Sequence, residues 1–439
     1  MTKRSQFVRD LNYPSKAEVI WQSQMGEGYA LAELGSLNEL LDRLAKYDLI
    51  DAPLNKEVAQ KAINKFISHI EKCEFLDDNE AFAQLNMKAS VGFGAKRAGV
   101  LSREDAELHQ YLSDYIERTV VQPHHVFIAA SQKDEMRAFE NGILKTPRLF
   151  MSYPVEQTYL STIVLSDFLR QVYLSSFFKD FGVSSVGDAP QLGAYRYYQE
   201  ELSKRPYLYC TDTSGQDASV PAEFLEMVYD SIQKLYDLDS YDQSLFEGVR
   251  LNSIHKMLNV NGYVYLLRRG LASGDYLTIV INMMWRLYLA YTSYHYPLEQ
   301  YHEHNTTVIC GDDFMSSSDY ADLNHDSKYA KITWAGRPVG WDEMDFCSCK
   351  FSPNIHHDPK KVESVLYGRV QARSAGDPNA EMQRLAGLLR VHADRATHKL
   401  ITNRMLHLCD KHGLVDEFNS LWVPYWVVYQ TYNCYLQFD

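Results

Sequence analysis

Thr306-Thr-Val-Ile-Cys-Gly-Asp-Asp-Phe-Met315 is the stretch from which the fold is read. Thr306 to Cys310 are β-branched or small and apolar, which suits a buried strand, and Phe314 and Met315 begin a second apolar segment. Only Gly311, Asp312 and Asp313 separate the two, so the stretch predicts a tight hairpin with adjacent carboxylates at its tip. Glycine supplies the backbone freedom for the turn, and paired carboxylates are oxygen donors for a hard cation. By itself the tripeptide reads more readily as an ordinary Asx-type turn, because Gly and Asp are common turn formers. Other stretches decide between the two.

Upstream, Tyr207-Leu-Tyr-Cys-Thr211 predicts a strand with Asp212 at its end. Asp217 follows five residues later, past a Ser-Gly turn, and is equally a plain helix-start residue. Pro221 suits the first turn of a helix whose apolar face is Phe224, Leu225, Val228, Ile232 and Leu235. Between these and the hairpin, Arg268-Arg-Gly-Leu-Ala-Ser273-Gly-Asp-Tyr-Leu-Thr278-Ile-Val-Ile-Asn282 is a small-residue loop entering an apolar helix. Thr278 and Asn282 are four apart and share a helix face. They need hydrogen-bond partners, either each other and their neighbours or a ligand hydroxyl.

Nearer the N-terminus, Lys133 and Arg148 are two cations a loop apart. They can clamp a polyphosphate, Arg148 bidentately, or belong to a surface ion-pair network with Asp134, Glu135 and Glu140. Lys88-Ala-Ser-Val-Gly-Phe-Gly94, followed by Lys96 and Arg97, lets a backbone approach another chain closely, and the basic neighbours point to a phosphate backbone. Phe346-Cys-Ser-Cys-Lys-Phe351 alternates like a strand or hairpin.

In order, these are a basic glycine loop, a Lys/Arg pair, Asp-x4-Asp, Ser-Gly-x3-Thr-x3-Asn, Gly-Asp-Asp and Phe-Cys-Ser-Cys-Lys-Phe. That series resembles the viral RNA-dependent RNA polymerases of the picornavirus-like group, which includes calicivirus, partitivirus and picobirnavirus enzymes. The resemblance spans roughly residues 86–351, and the flanks match by position only. It implies an α+β right hand of fingers, palm and thumb, the palm an antiparallel sheet flanked by helices. Residues 1–164 would be fingers, with an insertion at 246–268; 165–245 and 269–351 palm; 352–439 thumb and C-terminal tail.

The resemblance also implies roles. Asp212 and Asp312 would bridge two divalent ions roughly 3.5–4 Å apart, with Asp313 auxiliary. Oxygen ligands and a phosphate substrate favour Mg2+, with Mn2+ a usable substitute. Asp217 and Asn282 would read the ribose 2′-hydroxyl, with Ser273 and Thr278 in the same network; Lys133 and Arg148 would contact the NTP. Ser90 and Gly92 match the Ser-x-Gly that meets the template, and Lys350 lies in the segment supporting the primer end. Asn141 stands near where the family often has a middle lysine. For the general acid, position counting points to Arg337, whereas Lys331 is chemically better because arginine scarcely releases a proton. Template RNA, nascent RNA and NTPs are the implied partners, with other viral replication or capsid proteins, in a replication complex of the host cytoplasm or a virion. A reverse transcriptase shares the palm, but usually carries an aromatic-x-Asp-Asp turn, whereas Gly311 precedes the aspartates here, and a bulky steric gate where Asp217 stands. A non-catalytic RNA-binding subunit is the other alternative, opposed by the intact set of Asp212, Asp312 and Asp313.

The rest of the chain bounds this reading. Its 439 residues exceed one compact core, so two or three subdomains are expected, and 46% hydrophobic with 23% charged residues is a globular composition. Seven scattered cysteines without a Cys-x-x-Cys pair argue against a disulfide framework or zinc site. A net charge of −13 opposes nucleic-acid binding overall, but screening beyond about 10 Å lets local patches decide. Such patches are Lys88, Lys96, Arg97 and Arg103; Arg268 and Arg269; and Arg384, Arg390, Arg395, Lys399 and Arg404. The opening residues lack a signal-peptide core, and Tyr276 to Tyr291 is too short to span a bilayer and holds Arg286, so a soluble intracellular chain is expected. Ser36 and Glu39 predict a capping box ahead of Leu37, Leu40, Leu41 and Leu44. Further helices are expected over about Lys56 to Cys73, Thr158 to Phe178 and Ala321 to Ala330, and through most of 352–439. The aromatic tail from Trp422 needs a cover, from packing on the thumb or from a base in the cleft.

Overall fold

The computed structural model describes residues 29–31, 36–47, 53–87, 89–133, 136–175, 193–260, 262–293, 298–321, 329–333, 337–366 and 377–433. Its strands, in chain order, are β1 (Tyr29–Leu31), β2 (Phe127–Gln132), β3 (Met136–Glu140), β4 (Ile143–Leu144), β5 (Leu149–Ser152), β6 (Tyr207–Ser214), β7 (Lys256–Val260) and β8 (Tyr263–Leu267). They continue with β9 (Asn305–Cys310), β10 (Asp313–Ser318), β11 (Lys331–Thr333), β12 (Asp345–Phe346), β13 (Cys349–Lys350) and β14 (His356–His357).

The central sheet runs β11–β6–β10–β9 and is antiparallel throughout. β9 and β10 are buried along most of their length, whereas β6 alternates between buried and exposed residues past Thr211, and Lys331 of β11 is exposed. Ile309 and Phe314 face the larger core, where the helix Thr278–Ser293 lies buried on nearly every side. Leu208, Val308 and Met315 face a second core with Tyr195, Tyr198, Phe346 and Phe351. A third core lies among the helices Pro378–Leu389, Arg395–His412 and Val415–Leu421.

The second large sheet runs β5–β2–β7–β8, with β2 and β7 its parallel pair. β3 and β4 form a hairpin whose Asn141–Gly142 turn has positive φ at both residues, the geometry that favours Asn-Gly there. β12, β13 and β14 form a small sheet on the second core, so the Phe346–Phe351 segment is a hairpin.

The capping box forms as expected: Ser36 accepts from the Glu39 N–H, and Glu39 accepts from that of Ser36. The next helix, capped by Asn55, is shorter than its periodicity predicts and covers Lys56–Ile67. Pro221 is the N-cap itself, one step outside the helix Ala222–Gln233. The helix expected over Thr158 to Phe178 spans Val155–Ser175, and residues 176–178 lie outside the described residues, as do 322–328 of the predicted Ala321–Ala330 helix. No described helix is long and apolar enough to cross a membrane.

The tail helix Tyr425–Asn433 buries Val428 and Tyr432 in the second core, leaving Trp426 exposed. Asn433 both accepts from the Ile355 N–H and donates to its carbonyl. His392, after the helix Pro378–Leu389, touches Ile355 O through Nδ1 and the Tyr425 hydroxyl through Nε2. The tail therefore clasps the β12–β14 sheet to the third core, more than the thumb packing expected.

This junction is built on neutral imidazoles. His357 stacks edge-on against Tyr432 at 5.9 Å, and burial, then Lys361, His392 and His356, push its pKa down to about 4. His392 and His398 are lowered as well, chiefly by burial. A histidine depressed in the folded state contributes stability above its unfolded pKa of about 6.5 and loses it as pH falls toward 4. Stability is therefore expected to drop by up to about 3 kcal/mol across that window for His357. Melting temperatures at pH 7.5 and 5.0 check this: His357→Gln should flatten the difference, and an equal drop in both proteins would refute the assignment.

Candidate active site

The pairing of β6, β10 and β9 makes Asp212, Asp312 and Asp313 neighbours along the backbone register. Asp313 pairs with Cys310, so only Gly311 and Asp312 form the turn, with Gly311 at φ +62 as a primed hairpin turn requires. Asp313 is thus the first residue of β10 and not part of the loop. On the other side, Phe314 pairs with Thr211, and one more step along that register sets Asp313 beside Asp212. β6 continues to Ser214, so Asp212 lies within the strand rather than at its end; Thr333 of β11 is its other neighbour. Its Oδ1 accepts from the Thr213 N–H at 2.8 Å.

Negative charge accumulates here. Burial and then the Asp312 charge raise the Asp313 pKa to about 6, while hydrogen bonds from Cys347 oppose the rise. Asp217 is raised by burial and by Asp312, against the pull of the Asn282 amide. Beneath the strands, buried Arg286 donates to Thr211 Oγ1 and lies 4.1 Å from the centre of the Phe314 ring. Its guanidinium supports the two strands that carry Asp212 and Asp313; its only sequence signal was a charge inside an apolar helix.

Asp217 sits in the short helix Gln216–Ser219, and Asn282 Nδ2 donates to its Oδ1 at 2.7 Å. Gln216, which sequence reasoning passed over, is buried and joins the parts. Its Nε2 lies 3.1 Å from Asn282 O, 3.3 Å from Asn282 Oδ1 and 3.3 Å from Gly311 O. Its adjacency to Asp217 was the only hint. Thr278 shares the Asn282 helix face but turns back, its Oγ1 reaching the carbonyls of Ala272 and Asp275.

Ser273 ties the same loop to β5, accepting from the Met151 N–H at 3.1 Å. A Cβ on Gly274 would fall 2.4 Å from Met151 O, so this contact requires glycine. Gly274→Ala is expected to cost about 1–3 kcal/mol by overpacking. The denaturant midpoint measures this, and an unchanged midpoint would mean that the two segments part freely.

β5 starts one residue after Arg148. Arg148 faces Lys133 across the β2–β5 pair, with the Lys133 N–H bonded to Arg148 O at 2.8 Å, so the two exposed cations do share one hairpin edge.

Ser90 and Gly92 lie on a loop fastened to the chain itself. The Val155 N–H bonds Val91 O, buried Arg103 donates to Ser90 O, and a Cβ on Gly92 would meet Pro154 Cβ at 2.6 Å. The close approach that glycine permits is therefore to Pro154 of this chain. Several expected surface cations are likewise internal: Arg269 donates to Ser219 O, and Arg384 and Arg404 both pair with Glu381. Lys350 pairs with Asp345 at 2.8 Å. Arg337 is held by both oxygens of Glu343. Lys331, opposite Ser214, is exposed on the face of the sheet that Asp212 occupies.

The sequence profile of the viral RNA-dependent RNA polymerase family matches residues 10–366. No curated protein gives a significant match. Among solved structures, the Sicinivirus 3Dpol RNA-dependent RNA polymerase superposes with a TM-score of 0.66, covering 92% of this chain and 93% of that one at 16% identity. At that identity the likeness establishes the right-hand fold, and the family match establishes the lineage.

Proposed function

The chain belongs to the viral RNA-dependent RNA polymerases, and we propose that Asp212, Asp312 and Asp313 carry its nucleotide addition. RNA-directed RNA synthesis is the activity of the family, whose members generally use divalent metal ions. The observation that carries the residue-level reading is the register setting Asp313 beside Asp212 with Asp312 at the adjoining turn.

The donor set fits a hard cation: all three are carboxylates, and burial and then the Asp312 charge raise Asp313, a rise that nearby positive charge would offset. Among the described residues no three Asp, Glu, His or Cys side chains form a ready-made cage. Oxygen ligands and a phosphate substrate favour Mg2+, which binds through one or two carboxylates plus water and substrate phosphate, and Mn2+ can replace it. Asp212 and Asp312 would hold the ions, with Asp313 assisting; when bound, they acidify the primer 3′-hydroxyl and neutralise triphosphate charge.

The protein's own groups do the rest. Lys133 and Arg148 grip the triphosphate from their shared hairpin edge. Asp217 and Asn282 read the 2′-hydroxyl, with Gln216 fixing the amide against the turn. Ser273 and Thr278 hold the loop that carries this reader. Lys331, on the Asp212 face, is the better proton donor to pyrophosphate, because Arg337 is engaged by Glu343 and keeps its proton. Ser90 and Gly92 flank the template, and Lys350, steadied by Asp345, backs the primer end.

In domain terms the fingers would hold the β5–β2–β7–β8 sheet, the palm the central sheet and the thumb the third core. RNA and NTPs are its partners, alongside other viral replication or capsid proteins in a cytoplasmic replication complex or virion. Incorporation of labelled NTP or dNTP on a primed RNA template tests the proposal. NTP-specific, template-dependent extension is expected; preference for dNTP would return the reverse-transcriptase reading, and RNA binding without extension the non-catalytic one.

A further inference from the structure

Lys256, the first residue of β7, is fully buried. Its ammonium donates to the carbonyls of Ser253 at 2.8 Å and Ile254 at 3.1 Å, at the end of the helix Ser240–Ile254. A lysine often meets the last carbonyls of a helix, but its charged head then ordinarily stays in water. Here burial pulls its pKa down to about 7, and the Asp275 charge holds it up. An ammonium sealed in a core needs a counter-charge, and Asp275, itself buried, supplies it.

Asp275 uses both of its oxygens. Oδ1 accepts from the Leu277 N–H at 2.9 Å, just ahead of the helix Thr278–Ser293, and Oδ2 lies 3.2 Å from the Tyr153 hydroxyl. Tyr153 directly follows β5, and its hydroxyl also lies 3.1 Å from Asn252 O, beside the carbonyls that hold Lys256. Burial and then the Asp275 charge raise this hydroxyl well above the usual phenol range, so it stays a donor. The two charges are therefore linked through a helix end and one phenol. A polar cavity bordered by Asp275 and Tyr153 measures about 30 Å3, room for water but not for a nucleotide, so the couple serves the loop rather than a ligand.

That loop holds both members of the sugar reader. The Leu271 N–H bonds Asp217 O at 2.7 Å, and Thr278 opens the helix that brings Asn282 to Asp217 Oδ1. We propose that Lys256 and Asp275 are positioning residues, a buried charge couple linked through Tyr153 that fixes the 270–278 loop and so sets Asp217 and Asn282 for the ribose. The proposal rests on the reading of Asp217 and Asn282 as the sugar reader. Removing one member leaves the other charge buried without its partner, which is worse than removing both. The loop then shifts to relieve that charge, and the reader shifts with it.

The test is steady-state extension of a primed template with NTP and with dNTP. Lys256→Met is expected to raise KM for NTP about tenfold, a middling coupling for interacting residues. It should also lower the NTP-to-dNTP ratio of kcat/KM, with kcat much less affected. A merely structural loss would shrink the active fraction, lowering kcat for both nucleotides alike and leaving KM and the ratio as in wild type. Asp275→Asn keeps an acceptor for the Leu277 N–H but removes the charge, and in that background Lys256→Met should cost little. An equal cost in both backgrounds, or unchanged KM and ratio in a folded Lys256→Met, overturns the couple. Should Lys256→Met not fold, Tyr153→Phe, which deletes one hydroxyl, decides: a higher KM with a lower ratio supports the link, and wild-type values overturn it. Asp217→Ala assayed in parallel reports on the sugar reader by itself, so failure of that reading is distinguishable from failure of the couple.

Discussion

Asp212→Asn and Asp312→Asn are each expected to abolish nucleotide addition while leaving the fold intact. Both substitutions keep volume and hydrogen-bonding shape but remove one anionic ligand. Asp212 is exposed within a strand paired on both sides, and Asp312 is exposed in a two-residue turn; neither side chain helps to fill a core. The structural cost should therefore be small. The chemical cost should not be. Divalent-cation stabilisation of a phosphoryl-transfer transition state is worth several kcal/mol, and about 4 kcal/mol is a thousandfold in rate. Single-turnover extension of a primed template, with melting temperature as the control, gives the answer. Extension by either folded variant within a few-fold of wild type would remove the metal assignment.

Arg148 deserves the milder forecast. Arg148→Ala should raise the apparent Michaelis constant for NTP and lower the rate, with Arg148→Lys only partly restoring both, because an ammonium lacks the guanidinium's bidentate geometry. Full activity of the alanine variant would return this edge to a surface ion-pair role.

The hairpin tip, the strand carrying Asp212 and the helix carrying Asn282 were legible because each depends on local signals: β-branched runs, a glycine at a turn, apolar spacing. What was not legible depends on tertiary contact. Gly92 read as a place where phosphate approaches, yet the atom it makes room for is Pro154 Cβ, sixty-odd residues away in the chain. Arg103, Arg269 and Arg404 read as surface charge, yet the first two are buried and the third half-buried, held by partners that no local pattern identifies. Strand ends also drifted, because β11 continues the pairing of β6 past Asp212. Thr278 and Asn282 show the limit of helical spacing: the face is shared, but one side chain serves the loop and the other serves Asp217.

Asp217→Ala and Asn282→Ala are expected to collapse discrimination between NTP and dNTP far more than they slow dNTP use. The Asp217–Asn282 contact at 2.7 Å is a buried acceptor and donor aligned in advance, with Gln216 anchoring the amide to the turn that carries Asp312. A site built to hydrogen-bond a hydroxyl rejects an analogue lacking it by as much as about 10⁴-fold, because its polar groups are then left unpaired. Removing either member should cost NTP most of that advantage while leaving dNTP, which never made the bond, nearly as it was. Gln216→Ala then separates position from contact. It touches no sugar in this scheme, so it should lower the rate with both nucleotides together and leave their ratio nearer to wild type. The ratio of kcat/KM for NTP and dNTP in the three variants is the measurement. An unchanged ratio in Asp217→Ala and Asn282→Ala would place the sugar reader elsewhere, and a collapsed ratio in Gln216→Ala alone would make the glutamine the reader.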